Sequence, residues 1–168
     1  MCLFRNDKGF SFAELTITIS LVALLLIPFF GLLHAALRYY RTTESSIEGQ
    51  QNLRIAMEAI TSELRRCQGL IGKAADVDLS EENLLLLTKE QDIIWYYLSA
   101  QDLRRAVKGK WDSQFYGHNP VAGGITSLTF SYNQMPFAHS NQITVIITGQ
   151  DEAGRLYELS ATVVIRVD

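Results

Sequence analysis

The sequence predicts an α+β protein. A long N-terminal helix, transmembrane in its first half and amphipathic in its second, packs on an antiparallel β-sheet head. Three observations predict this. Residues 10–37 are an apolar run with one carboxylate inside it. From Leu53 to Ile71, apolar side chains recur at helical spacing. Beyond residue 83, short runs alternate apolar and polar residues. The 168 residues make about one domain. With 48% hydrophobic and 20% charged residues, a disordered or collagen-like chain is excluded. A net charge of -3 lacks the basic balance of a nucleic-acid surface, so no direct nucleic-acid contact is expected. Two cysteines are too few for a disulfide scaffold or a four-cysteine zinc site.

The apolar run, FSFAELTITISLVALLLIPFFGLLHAAL, covers Phe10 to Leu37. A hydrocarbon core about 30 Å thick takes roughly 20 such residues as helix, so the run is long enough to span it. The competing reading is a buried core helix, but so small a domain has little room to enclose a helix that is apolar on every side. A secretory signal places its small residues after the apolar run. Here the small residue, Gly9, precedes the run and follows Lys8. A lipoprotein reading of Cys2 fails because no apolar run precedes it. Arg5 and Lys8 lie before the segment, and Arg38, Arg41 and Arg54 after it, so flanking charge gives no orientation.

Glu14 is the exception within the run. An ionised side chain at mid-helix in a membrane costs about 2.5 to 3.5 kcal/mol, and less near an end. No Lys, Arg or His lies within a helical turn of Glu14. Its partner is therefore expected to be a terminus, another subunit or lipid headgroups.

Lys8-Gly9-Phe10-Ser11-Phe12-Ala13-Glu14-Leu15 resembles the processing motif of type IV prepilins and type II secretion minor pseudopilins. That motif is a short basic leader ending in Gly, then Phe, three mostly apolar residues, and Glu at the fifth mature position. The resemblance implies that 1–9 is a leader, cut between Gly9 and Phe10 by a prepilin peptidase, and that Phe10 is N-methylated. It implies that Glu14 meets the N-terminal amine of a neighbouring subunit. Other minor and major pilin or pseudopilin subunits are then the partners. The implied location is single-pass in the inner membrane, N-terminus cytoplasmic and head periplasmic, followed by entry into a filament. Cleavage creates a cation at Phe10 that did not exist before, and pairing with it offsets the desolvation of a buried carboxylate. Pro28 lies slightly earlier than the proline of many major pilins. Ser11, Thr16, Thr18 and Ser20 make the run more polar than usual for that family.

The second half of the helix is expected over 38–71. Leu53, Met57, Ile60, Leu64, Cys67 and Ile71 follow spacings of 4, 3, 4, 3 and 4, one face of a helix. Gly69 and Gly72 are its candidate terminators. Pro28 and Gly49 are the places where it can bend. Read as one helix, it would run about 90 Å.

The head is expected over 72–168, with about six strands. Asn83 to Lys89 and Ile93 to Ser99 flank Glu90-Gln91-Asp92, a hairpin signal. Leu103 to Lys108 reads as a third strand, and Lys108 to Gly124 as a loop. Leu128 to Tyr132, Ile143 to Thr148 and Leu159 to Val167 alternate with period two, as strands with one wet face do. Asp151 to Gly154 joins the last two as a hairpin. This element order resembles J-type pseudopilins and W-type minor pilins.

Chemistry-bearing residues are sparse. His34, His118 and His139 show no metal-ligand spacing. Cys67 lies on the apolar stripe and reads as a small buried hydrophobe. Asp76, Asp78, Glu81 and Glu82 do not match an EF-hand, and read as a solvated acidic loop. Trp95 and Tyr97 share one strand face and Tyr96 takes the other. Trp111, Phe115 and Tyr116 are candidates for contact with a partner subunit. The expectation is a non-catalytic minor subunit that initiates or caps a filament, with no catalytic residue, metal or cofactor. A membrane-anchored enzyme with a soluble head is the alternative.

Overall fold

A computed structural model of the protein describes residues 11–151 and 154–165. The chain forms two compact units, Met1–Thr43 and Glu44–Asp168. Helix α1, Phe12–Leu64, contributes to both and contains Pro28.

In the first unit, Phe12–Arg41 is one apolar helical stretch of 30 residues with mean hydropathy 2.4 and no buried residue. It is long and apolar enough to cross a membrane, consistent with single-pass anchoring. Its polar hydroxyls turn back on the helix itself. Thr16 donates to the Ala13 carbonyl at 2.9 Å, Thr18 to Leu15 at 2.9 Å and Ser20 to Thr16 at 2.7 Å. Such bonds offset the cost of placing a hydroxyl among lipid tails.

In the second unit, α1 packs on antiparallel sheets. Leu53, Ala56, Ile60 and Leu64 are at most 1% exposed and form the buried stripe. Met57 is only half-buried, and Ala56 takes its place on the inner face. The helix stops at Leu64, not at residue 71 as the periodicity suggested. Arg66 and Cys67 both donate to the Glu63 carbonyl, at 3.0 and 2.9 Å, which tightens the last turn. Gln68 then donates to Leu87 and Ile71 to Leu85. A strand partner thus captures the donors that would have extended the helix. Cys67 is buried just beyond it.

Ten strands follow. They are β1 (Gly69–Leu70), β2 (Lys73–Ala74), β3 (Val77–Asp78), β4 (Leu84–Leu87), β5 (Ile93–Ser99), β6 (Asp102–Lys108), β7 (Tyr116–Ala122), β8 (Ile125–Tyr132), β9 (Gln142–Gln150) and β10 (Leu156–Val164). One sheet has the order β1-β4-β5-β6-β7, a second β10-β9-β8, and β2 pairs with β3. Every pairing is antiparallel.

The expected loop over residues 108–124 contains β7, a correction with a clear cause. β7 is an edge strand, exposed at its first five positions and carrying Gly117 and Pro120. It has no apolar alternation to read, and β6 supplies its pairing through two register shifts. β1, β2 and β3 have two residues each, too short for any periodicity. Ala100 and Gln101, between β5 and β6, both have positive φ, 52° and 75°. This backbone matches the twist of the hairpin without the usual Asn or Gly.

Tyr96 and Phe130 are the largest fully buried side chains of the head. Phe130 N–H bonds the Glu81 carbonyl at 2.7 Å, and Tyr132 Oη donates to the Ser80 carbonyl at 2.9 Å, tying the second sheet to the segment before β4. A Cβ at Gly149 would lie 2.8 Å from the Gly124 carbonyl oxygen and 3.1 Å from Leu53 Cδ2. Only glycine lets α1 and the start of β8 approach β9 this closely. The hairpin expected at Asp151 to Gly154 does join β9 to β10, although Glu152 and Ala153 lie outside the described residues. So do Arg166 and Val167 of the expected last strand.

Candidate functional site

Gly9 and Phe10, the expected cleavage and methylation positions, lie outside the described residues. Glu14 lies inside them, in the first turn of α1. Its carboxylate Oε2 accepts the Ser11 backbone N–H at 3.1 Å, and Ser11 Oγ accepts the Glu14 N–H at 3.3 Å. This reciprocal pair is a capping box, with Ser11 as N-cap and Glu14 as the third helical residue. Two donors that no helical carbonyl reaches are satisfied at once. The positive end of the helix dipole favours the carboxylate further.

The sequence leaves a terminus, another subunit or lipid headgroups as the partner of Glu14. The structure gives it a nearer one, the backbone of its own helix. The signal was legible: Ser-x-x-Glu before an apolar run is a helix start. Ser11 and Glu14 thus each bond the other's backbone within the first turn of α1.

The head has a second concentration of polar chemistry, where the last turns of α1 meet the five-stranded sheet. A cavity of about 380 Å³ there is lined by Glu63, Arg66, Cys67, Lys89, Asp92 and Arg105, among others. Arg105 Nε donates to Glu63 Oε1 at 3.0 Å, and Glu63 Oε2 is buried with no hydrogen-bond partner. The Tyr96 phenol adjoins this pair. Burial first, then the Glu63 carboxylate, push its pKa well above the ordinary range. The Cys67 thiol is pushed up to about 11, chiefly by burial, and its Sγ contacts the Leu64 carbonyl at 3.2 Å. The thiolate is the reactive form of cysteine, and burial here disfavours it. Nothing in sequence spacing joins Glu63 to Arg105, which lie 42 residues apart.

The aromatic residues divide as the strand parity implied. Tyr96 is buried, while Trp95 and Tyr97 stack at 4.0 Å on the other face of β5. Phe115 packs on Trp95 at 5.2 Å, and Tyr97 Oη meets His118 Nδ1 at 2.7 Å. Trp111 stays 90% exposed. His34 and His139 are exposed and lie on α1 and just before β9 respectively. In the acidic segment, Asp78 is held 3.3 Å from Lys73 across the β2–β3 hairpin. Among the described residues, no three His, Cys, Asp or Glu side chains converge on a metal-sized site. No family model matches this chain, and no curated protein matches it.

Proposed function

We propose that the chain is a minor pilin or pseudopilin, a non-catalytic subunit that initiates or caps a type IV pilus or a type II secretion pseudopilus. One observation carries this reading. A single carboxylate stands five residues after Gly9, in an apolar run over residues 10–37 that holds no other Asp, Glu, Lys or Arg and none of whose described residues is buried. Beyond capping its own helix, a charge in a membrane segment is costly, and pairing with a neighbour's amine at assembly offsets that cost.

In this reading a prepilin peptidase removes 1–9 and frees the Phe10 amine, which is then methylated. The capping box already holds the Glu14 carboxylate at the helix start. It is thus ordered before a neighbouring subunit's amine arrives. Less conformational freedom is lost on pairing, and the axial register between subunits is better defined. The exposed apolar helix then packs among other helices in the filament, leaving the head outside.

Mass spectrometry of the mature N-terminus tests the proposal. A chain beginning at methylated Phe10 supports it, and an intact Met1 in native material ends it. A second test separates processing from assembly. Glu14→Ala is expected to leave leader removal intact and to reduce incorporation into filaments. Normal incorporation removes the register role.

A further inference from the structure

Among the described residues, the two main sheets end in four edge strands, β1 and β7 in one and β10 and β8 in the other. Unpaired edges are templates for another strand, and proteins normally blunt them. Three of the four are blunted here. β1 is only two residues long. β7 carries Gly117 and Pro120 and has irregular register with β6. The outer side of β8 is occupied, with Phe130 donating to Glu81 and Ile125 to Gln101.

β10 differs in every respect. Its nine residues, LYELSATVV, include no Pro, Gly or Lys, and they pair with β9 in unbroken register. Leu156 and Val164, at its two ends, are 67% and 59% exposed. Beside the strand runs a groove of about 320 Å³ between α1 and β10, lined in part by Leu53, Tyr157 and Leu159.

We propose that β10 is an association edge, pairing antiparallel with β10 of a second copy of this chain. The strand is complementary to itself. The register centred on Ser160 is the one that pairs all nine residues. On the exposed face it sets Leu156 against the second copy's Val164, and Glu158 against the second copy's Thr162. The exposed apolar ends cover one another, and no like charges face each other. On the inner face it sets Tyr157 against the second copy's Val163, and Leu159 against the second copy's Ala161. These apolar groups arrive where the groove lies open. Main-chain bonds supply affinity, and the side-chain rows select the register. The contact is two-fold and closed, so it yields dimers and not fibres. It depends on the head alone and stands or falls apart from the filament reading.

The test uses the full chain in detergent, with Cys2→Ser to remove the leader thiol. Sedimentation is expected to give a protein mass of two chains. Leu156→Lys with Val164→Lys is expected to weaken association about tenfold or more, with the thermal midpoint of the head unchanged. Ser160→Cys is expected to cross-link to a dimer with a short bis-maleimide, and Thr144→Cys, on the same face of β9, is not. A monomeric wild type overturns the proposal. So does a dimer that survives both lysines, which would place association on the apolar helix. Equal cross-linking at Thr144→Cys overturns it as well. Should the double lysine variant not fold, the two cysteine variants decide the matter.

Discussion

Glu14 near the start of α1 and Glu63 near its end are carboxylates on one helix with different kinds of partner. Glu14 is held by Ser11, three residues away, through backbone and hydroxyl groups. Glu63 is held by Arg105, 42 residues away, through a side chain on β6. The same contrast runs through both units. In the first, the polar atoms of Thr16, Thr18 and Ser20 bond their own helix. In the second, Trp95 Nε1 donates to Asn83 at 3.0 Å, and Tyr132 Oη bonds the Ser80 carbonyl, 52 residues distant. A segment exposed along its whole length finds polar partners only within itself. A packed head can draw them from anywhere in the chain.

This difference is open to attack by mutation. The largest effect is expected at the packing stripe. Ile60→Ala removes a fully buried side chain between α1 and the sheets, and should cost about 2 to 5 kcal/mol of head stability. Near-ultraviolet dichroism of the head should melt early while the helix of the first unit persists in micelles. Simultaneous loss of both would show that the two units are not independent. Next comes the long-range ion pair. Glu63→Ala leaves Arg105 without its carboxylate; with side chains 25% and 35% exposed, water shares the burden, and the cost should be about 1 to 2 kcal/mol. Glu63→Leu combined with Arg105→Met should recover most of it in chemical unfolding. No recovery would mean the pair contributes more than it costs to desolvate.

Smaller still is the local cap. Ser11→Ala should cost about 1 kcal/mol at the helix start and nothing in the head. Hydrogen exchange at the first turn of α1 is the readout, with the head's melting temperature as the control. A shift in that temperature would break the separation between local and long-range partners. The last effect is set by pH. Asp151 is buried, and burial pushes its pKa up. The Arg155 N–H at 2.8 Å, the Arg155 guanidinium and the Tyr157 hydroxyl outweigh that and hold the pKa below the ordinary 3.8. A lowered carboxylate contributes stability above the unfolded value and loses it as pH falls through the folded one. Head stability should therefore decline below about pH 4, and Asp151→Asn should flatten that acid limb. An unchanged limb would assign acid sensitivity to other carboxylates.

How far the fold was legible follows from the same distinction. The sequence places strand β5 at its observed bounds, Ile93–Ser99, because bulky residues run between two turn signals. The stripe on α1 was legible because helical periodicity needs no partner to be seen. β7 was not legible, since an exposed edge strand has no reason to alternate. The helix end was misplaced by seven residues, Leu64 for 71. Its competitor there was a strand whose partner, β4, lies 15 or more residues on. Ser11 is legible as a cap from the Ser-x-x-Glu spacing, although against the family pattern it stands out only as an unusual polar residue. The Glu63–Arg105 contact and the Asp151 cluster carry no sequence signal of this kind.

The sequence by itself determined the apolar anchor, the lone carboxylate at its start, the amphipathic continuation and most strands of the head. These depend on composition, periodicity and bonds within one helical turn, all of which are local. Only the tertiary structure decided where α1 stops, that residues 116–122 form a strand, and which charges meet. It also decided that β10 has no second strand beside it among the described residues. These outcomes depend on which distant backbone or side chain arrives first at an unsatisfied group, and sequence spacing does not record that competition.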